Sequence, residues 1–143
     1  MIYMNYLEEI RGRGQEANPF FCLMNIRPVE FGEGKARLAM DVRDDMKNGE
    51  GWLQGGIFTA IGDEAIALAI YTLLSKGETI ATVSCTTHFI RGIQNGTIHA
   101  DGMVIRKGRQ MIFAEASITN AKDGSLLARC SASFIVRSSP GTE

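Results

Sequence analysis

The chain has 143 residues, which suits a single domain over 1–143, since a domain of about 150 residues buries roughly 70% of its unfolded surface. Its net charge of -1 and charged content of 22% exclude a global basic field for nucleic acid or an anionic membrane. The first residues lack the charged, apolar and small-residue order of a signal peptide, so we expect a cytoplasmic protein. The three scattered cysteines, Cys22, Cys85 and Cys130, predict reduced, buried thiols rather than a disulfide framework.

Three elements are predicted in the first third of the chain. Residues 5–14 form a short amphipathic helix that ends at the glycines of positions 12 and 14. Residues 20–31 are apolar and irregular, which predicts a first strand. Residues 35–42 alternate between apolar and polar side chains, and this period of two predicts a second strand with one buried face.

A Gly-rich turn then leads into a long helix, predicted over 55–74. Its residues are apolar on every face, which is typical of a helix enclosed by other structure. The adjacent carboxylates of Asp63 and Glu64 lie in its middle, and an Asp alone costs roughly 2.5 to 3.5 kcal/mol at the centre of a membrane helix. We therefore reject a transmembrane segment. A buried carboxylate without a partner is costly and tends to mark a functional site.

Four more strands are predicted after the helix, over 79–91, 97–107, 109–121 and 126–137. The dipeptides Asn95-Gly96, Lys107-Gly108 and Asp123-Gly124 separate them and suit tight hairpins. Consecutive hairpins form an antiparallel sheet, and the long helix is the only segment able to cover one of its faces. The tail, 138–143, is predicted to be disordered.

A strand pair, one buried helix and four further antiparallel strands resemble the hotdog fold, an α+β fold in which a six-stranded antiparallel sheet wraps a long central helix. Asn48, Gln54-Gly55-Gly56 and Asp63 resemble the N-x5-H-G-G-x6-D signature of the phenylacetate-pathway (PaaI-type) branch of the hotdog thioesterases, which are related to 4-hydroxybenzoyl-CoA thioesterases. The segments 82–91, 104–108 and 120–128 fit the strand pattern of that branch. The resemblance spans 20–137 and implies an acyl-CoA thioesterase.

The spacing of the signature has a physical reason. Thioester hydrolysis needs hydrogen-bond donors for the oxyanion and a carboxylate that attacks the carbonyl or activates water. Gly55 and Gly56 offer free N-H groups at a helix N-terminus, and Asp63 offers the carboxylate. Gly55 and Asp63 are eight residues apart, about 12 Å along a helix, which is too far to act on one carbonyl. Two antiparallel helices around a two-fold axis bring them level, so the spacing predicts a dimer.

The resemblance implies a role for each signature residue. Gly55 is the oxyanion donor, with Gly56 beside it at the substrate, and Asp63 is the nucleophile or general base. Asn48 contacts the thioester or the attacking carboxylate, and Thr82 positions water.

Gln54 departs from the family pattern, in which His is the commoner residue. A Gln amide donates a hydrogen bond to a thioester but carries no proton, which excludes an acid role at this position. Simpler explanations exist for the other signature residues. The two glycines suit any helix start, and Asn48-Gly49 suits an ordinary turn. Glu64 points about 100° away from Asp63, so we expect it to face solvent or to pair with an Arg.

The sequence lacks the residues that a metal site, a serine hydrolase or a dinucleotide-binding enzyme would need. The two histidines, His88 and His99, have no further ligand at a suitable spacing, so no metal site is expected, and no nucleophile elbow or dinucleotide motif occurs. Basic residues lie near the strand ends, and they suit either solvated hairpin charge or a cradle for the phosphates of coenzyme A. The set is Arg91, Arg106, Lys107, Arg109 and Arg137, of which Arg91, Lys107 and Arg109 are the candidates for substrate binding.

The sequence thus predicts an acyl-CoA thioesterase that acts on an acyl or aroyl coenzyme A. A homodimer is its minimal unit, and we expect a homotetramer. No cofactor is expected, since coenzyme A is part of the substrate, and neither nucleic acid nor a membrane is a partner. Two alternatives stay open. One is a hotdog hydratase or dehydratase, disfavoured by Gln54 in place of His, and the other is a protein that binds acyl-CoA without cleaving it.

Overall fold

The computed structural model of the chain describes residues 5–138. It contains three α-helices and six strands within that range, together with short 3-10 turns at Gly14–Ala17 and Asp44–Met46. The helices are α1 (Tyr6–Arg13), α2 (Pro19–Met24) and α3 (Gly55–Tyr71). The strands are β1 (Arg27–Gly32), β2 (Lys35–Asp41), β3 (Glu78–Phe89), β4 (Thr97–Lys107), β5 (Met111–Asn120) and β6 (Leu126–Ser138). The predicted disordered tail lies outside the described residues except for Ser138, which ends β6.

The N-terminal region contains one helix more than the sequence predicts. The predicted first helix is confirmed as α1, which begins with Asn5 as its cap and ends at Gly14, where φ is +60°. The strand predicted over 20–31 is wrong in its first half, because residues 19–24 form α2. The Asn18 side chain accepts hydrogen bonds from the N-H groups of Phe20 and Phe21, and Pro19 occupies the first helical position. This cap starts a helix in an apolar segment that shows no clear period.

The strands form one antiparallel sheet in the order β1-β2-β4-β5-β6-β3. The strand after α3 and the three that follow it are confirmed, but the hairpin expected at Asn95-Gly96 is wrong. Along its whole length β3 pairs with β6 and not with β4, so the segment 90–96 crosses from one edge of the sheet to its middle. The dipeptide still turns the chain, since φ is +105° at Gly96, but it turns it into β4 rather than back along β3.

The sheet curves around α3, which is the arrangement of the hotdog fold, and the predicted fold class is confirmed. Apolar side chains of α3, of the inner sheet face and of the segment around α2 form the core. The largest fully buried ones are Phe21, Ile26, Leu38, Met40, Ile61, Ile66, Leu68, Ile70, Ile98, Ile112, Ile118 and Phe134. No helix among residues 5–138 combines the length and the apolar character needed to span a bilayer.

Strand β3 lies beside α3 and runs in the opposite direction. The Phe89 ring lies against Gly55 at the start of the helix, and the hydroxyls of Thr87 and Thr59 are 2.7 Å apart. Further along, Thr82 contacts Asp63. The start of α3 thus lies at the end of β3, and Asp63 in the middle of the helix lies beside the middle of the strand.

The cysteines differ partly from expectation. None of the three forms a disulfide, and Cys130 is buried as predicted, but Cys22 is exposed on α2 and Cys85 is half-buried on β3.

Gly102 on β4 allows the sheet backbone to touch the helix. A Cβ atom at this position would overlap the backbone carbonyl group of Ala65 on α3, which cannot move without shifting the helix. We expect Gly102→Ala to lower the free energy of unfolding by about 1 to 3 kcal/mol, as overpacked cores do. Urea denaturation measures this change. Gly32→Ala is the matched control, because a Cβ at Gly32 meets nothing within 4 Å, and equal effects of the two variants would contradict this account.

Candidate active site

The N-terminus of α3 presents two free donors. Gln54 precedes the helix with an extended backbone, donates its N-H to the Met46 carbonyl and accepts from the Ile57 N-H, both at 3.0 Å. Within residues 5–138, neither the Gly55 N-H nor the Gly56 N-H donates to any acceptor. Because the helix dipole is positive at this end, the two amides suit an oxyanion.

The Gln54 side chain lies over these amides. It makes no capping hydrogen bond and is exposed, and its Oε1 atom lies 2.8 Å from the position that a Cβ on Gly56 would occupy. The predicted contact of Gln54 and Gly56 with substrate remains a prediction, and the structure brings both residues to the same end of the helix.

Asn48 organises the loop that leads into α3. Its Oδ1 atom accepts hydrogen bonds from the N-H groups of Glu50 at 3.0 Å and Trp52 at 3.1 Å, and its own N-H donates to the Trp52 carbonyl at 2.7 Å. The carbonyl oxygen of its side chain is thus engaged by the loop, while its amide NH2 has no acceptor among residues 5–138. Its predicted contact with the thioester remains a prediction.

Asp63 lies half-buried in the third turn of α3 and accepts a hydrogen bond from Thr82. The Thr82 Oγ1 atom is 3.1 Å from Asp63 Oδ1 and 3.4 Å from Oδ2. A β-bulge follows directly, since Thr82 pairs with Phe134 and Ser84 with Ser133. Bulges of this kind re-aim side chains beside active sites. The role predicted for Thr82 in positioning water remains a prediction, and the structure adds a direct contact with the carboxylate.

Burial raises the pKa of Asp63 above its usual range, and the hydrogen bond from Thr82 opposes that rise. The carboxylate is consequently a better proton acceptor than a solvated one, as a general base requires.

A cavity of about 280 Å³ opens beside Asp63. Its lining consists of Tyr6, Asp63, Glu64, Ala67, Tyr71, Ile80, Thr82 and Phe134. The rings of Tyr6 and Tyr71 meet edge to face, with their centroids 5.0 Å apart. The sequence does not predict either tyrosine as a site residue. Tyr71 continues the line of Asp63 and Ala67 at intervals of four along the helix, so the helical period alone places it on the same face.

The expectation for Glu64 is wrong. Glu64 neither faces open solvent nor pairs with an arginine among residues 5–138. It lines the cavity beside Asp63, and its Oε2 atom accepts a hydrogen bond from Asn18 Nδ2 at 3.2 Å. The reason is that the segment before α2 folds over this side of α3. Burial raises the pKa of Glu64, and the charge of Asp63 adds to the rise.

The candidate basic residues lie at opposite ends of the sheet. Arg91 follows β3 beyond Phe89, which pairs with Ala128, whereas Lys107 and Arg109 flank the turn before Met111. Met111 pairs with Ile135, seven residues further along β6, or about 23 Å. One chain therefore does not bring the three cations together. Arg91 lies at the Gly55 end of α3, and Lys107 and Arg109 lie at the Asp63 end.

No group of three or more His, Cys, Asp or Glu side chains in the described part of the chain is arranged to hold a metal ion.

A model of the thioesterase superfamily matches residues 50–127, slightly more than half of the chain and the whole segment from the Gly-rich turn to the start of β6. The chain belongs to the thioesterase superfamily. A Halobacterium salinarum protein named as a candidate esterase is 30% identical over 105 residues, which cover 70% of this chain and 69% of that protein. A candidate esterase of Mycobacterium tuberculosis is 25% identical over 108 residues, which cover 73% and 77%.

Solved structures of related fold include a thioesterase from Haemophilus influenzae, with a TM-score of 0.83, 19% identity and coverage of 96% of this chain and 93% of that one. A phenylacetic acid degradation-related protein from Ralstonia eutropha, described as a candidate thioesterase, has a TM-score of 0.82 at 22% identity, with coverage of 92% and 99%. At these identities the structures show the fold of this thioesterase-superfamily member. Together with the family match, they confirm the resemblance that the signature predicts.

The raised pKa of Asp63 predicts how the stability of the fold depends on pH. A carboxyl group whose pKa is higher in the folded state than its value of 3.8 in the unfolded chain stabilises the fold while it is protonated, and this contribution is lost as the pH rises through the folded pKa. We expect Asp63→Asn to have a higher Tm than the wild type near pH 7. The difference disappears near pH 3, where both side chains are neutral. Thermal unfolding at the two pH values measures it, and a difference independent of pH would contradict the assignment.

Proposed function

We propose that this thioesterase-superfamily member hydrolyses the thioester of an acyl or aroyl coenzyme A, releasing the free acid and coenzyme A. The proposal rests on one observation: α3 presents hydrogen-bond donors at its start and a carboxylate in its middle. Free amides lie at the start of α3, and a half-buried carboxylate of raised pKa lies eight residues further on, beside a cavity. These are the two components that acyl transfer to water requires.

In the proposed reaction, the Asp63 carboxylate acts in one of two ways. As a nucleophile it attacks the thioester carbon and forms an anhydride, coenzyme A leaves as the thiol after taking up a proton, and water then cleaves the anhydride. As a general base it takes a proton from the water that attacks the thioester carbon, and the C–S bond then breaks as the departing sulfur takes up that proton. In both cases the Gly55 N-H stabilises the oxyanion. The Thr82 hydroxyl holds the carboxylate, and the Gln54 amide donates to the thioester group without transferring a proton.

A homodimer is the smallest active unit of this proposal. The structure keeps Gly55 and Asp63 on one continuous helix, where eight residues span about 12 Å. Strand β3 forms one edge of the sheet over 12 residues, and its outer side has no partner strand among residues 5–138. Val83 and Phe89 on this strand are 57% and 60% exposed. A long apolar edge is a template for pairing, and two antiparallel copies of β3 would set two α3 helices antiparallel as well.

The basic residues support the same arrangement. Because Arg91 lies at the Gly55 end and Lys107 and Arg109 lie at the Asp63 end, an antiparallel pair of chains brings the two halves of the basic set to each site. The phosphates of coenzyme A would bind between them.

A homotetramer extends the proposal through the outer face of the sheet. Met103, Phe113 and Ile135 lie on that face and are between 36% and 47% exposed, so sheet-to-sheet packing of two dimers would cover them. A cytoplasmic location is also part of the proposal, supported by the three free cysteines.

Replacing the carboxylate tests the proposed chemistry. We expect Asp63→Asn to lower kcat for thiol release by about 10²-fold or more, since it removes the nucleophile or base while keeping the shape of the side chain. Thiol release is measured over short, medium, long and aromatic acyl-CoAs. Asp44→Asn, at an exposed carboxylate that does not line the cavity, is the control. Full turnover in Asp63→Asn contradicts the proposal, and binding of acyl-CoA without thiol release by the wild type would favour a binding protein.

Removing the Thr82 hydroxyl tests its contact with Asp63. That hydrogen bond lowers the pKa of Asp63, so its loss raises the pKa further. We expect the acid limb of the pH profile of kcat/KM to move to higher pH in Thr82→Val. Thr86→Val makes the same change on the same strand away from Asp63 and leaves the limb in place. An unmoved limb in Thr82→Val would show that Asp63 does not govern it.

A further inference from the structure

The cavity beside Asp63 is where the acyl group of the substrate lies if the proposed function holds, and the inference below rests on that function. Its wall is aliphatic and aromatic on most sides, from Ala67, Ile80, Phe134 and the two tyrosine rings. Its volume of about 280 Å³ is close to the lower end of the range for ligand pockets, about 300 Å³, which suits a short acyl chain.

Glu64 is the carboxyl group in this wall that the proposed reaction does not use. Only one of its oxygens is occupied, since Oε2 accepts from Asn18 Nδ2 and Oε1 has no hydrogen-bond partner among residues 5–138. No side-chain oxygen or nitrogen in the described part of the chain is both buried and without a partner, so Oε1 is accessible, and Glu64 lines the cavity. A carboxylate oxygen in this position can accept a hydrogen bond from a donor on the substrate.

The charge of the cavity has one sign. Asp63 and Glu64 are both carboxyl groups, and none of the eight lining residues is Lys, Arg or His. Burial raises the pKa of Tyr6 to about 12, so its hydroxyl stays neutral and does not change the charge of the cavity. A carboxylate on the substrate would meet like charge in this partly desolvated site.

We propose that Glu64 determines which acyl groups this cavity accepts. Its free oxygen accepts a hydrogen bond from a hydroxyl group at the far end of a short acyl chain, and its charge excludes a chain that ends in a carboxylate. The substrate class is therefore a short hydroxyacyl or unsubstituted acyl coenzyme A, and not the coenzyme A thioester of a dicarboxylic acid. Exclusion by placing like charge against the wrong substrate is a common source of specificity.

A structural role for Glu64 has to be separated from this one. Asn18 donates to Tyr6 OH at 2.8 Å as well as to Glu64, and it caps α2, so the Glu64 contact also helps to hold the N-terminal segment on α3. Glu64→Gln removes the charge but keeps a carbonyl oxygen that accepts from Asn18. Glu64→Asp keeps the charge and shortens the side chain. A purely structural residue would change all substrates alike in both variants.

The test compares three thioesters of matched length: heptanoyl-CoA, 6-hydroxyhexanoyl-CoA and adipoyl-CoA, whose chains end in a methyl, a hydroxyl and a carboxylate. The measured quantity is kcat/KM for thiol release, with the enzyme-free rate subtracted. We expect the wild type to favour the hydroxyl over the methyl ending and to discriminate against the carboxylate by about tenfold or more. In Glu64→Gln the adipoyl to heptanoyl ratio rises by about tenfold, while Glu64→Asp retains the wild-type order. Glu115→Gln, which removes one charge from the outer sheet face, is the control for net charge.

Each outcome has a distinct meaning. A wild type that hydrolyses adipoyl-CoA as well as heptanoyl-CoA overturns the inference without any variant. An adipoyl to heptanoyl ratio that is the same in Glu64→Gln, Glu115→Gln and the wild type also overturns it, and the proposed thioesterase function stands. Absence of thiol release from all three substrates and from the wider acyl-CoA panel contradicts the proposed function itself, and the inference falls with it.

Discussion

The enclosure of α3 by a single curved sheet is the constraint on which the rest of the structure depends. Contact at Gly102 brings β4 against the helix backbone at Ala65, and Gly62 does the same from the helix side against Cys130. Larger side chains at these positions would separate the two layers. The enclosed helix is therefore apolar over most of its surface, and its two charged groups, Asp63 and Glu64, lie where the cavity opens beside β3.

The same enclosure fixes the distance between the two parts of the candidate site. Packing holds α3 in one position, so the amides at Gly55 and the carboxylate of Asp63 stay about 12 Å apart. Strand β3 contacts the helix at both places, through Phe89 at Gly55 and through Thr82 at Asp63. The unpaired edge of β3 lies alongside both groups. One strand thus positions the carboxylate and also offers the surface on which a second copy is proposed to complete the site.

Periodicity predicted most of this architecture, because α3 and the alternating strands follow the two simple periods of buried structure. Local signals failed where the answer depended on distant residues. Asn95-Gly96 predicts a hairpin between β3 and β4, yet β3 pairs with β6. No local sequence pattern indicates that pairing. The start of α2 is an exception, because its signal, Asn18-Pro19, is local, and only the position of this region over Glu64 depends on distant residues. A helical wheel separates Glu64 from Asp63 by angle, but only the folded N-terminal segment places both in one cavity.

The central claim, that Gly55 of one chain acts with Asp63 of the other, is tested most directly by mixing two inactive variants. Gly55→Pro removes the amide N-H and suits the first helical position, since Gln54 before it already has φ of -64° and ψ of 134°. Gly55→Ala keeps the N-H and is the control. Co-produced, differently tagged Gly55→Pro and Asp63→Asn chains are purified as mixed oligomers and assayed for thiol release. The account predicts that each variant alone is inactive and that a mixed dimer, with one intact site of two, recovers about half of the wild-type rate. A mixed dimer as inactive as its parents would contradict it.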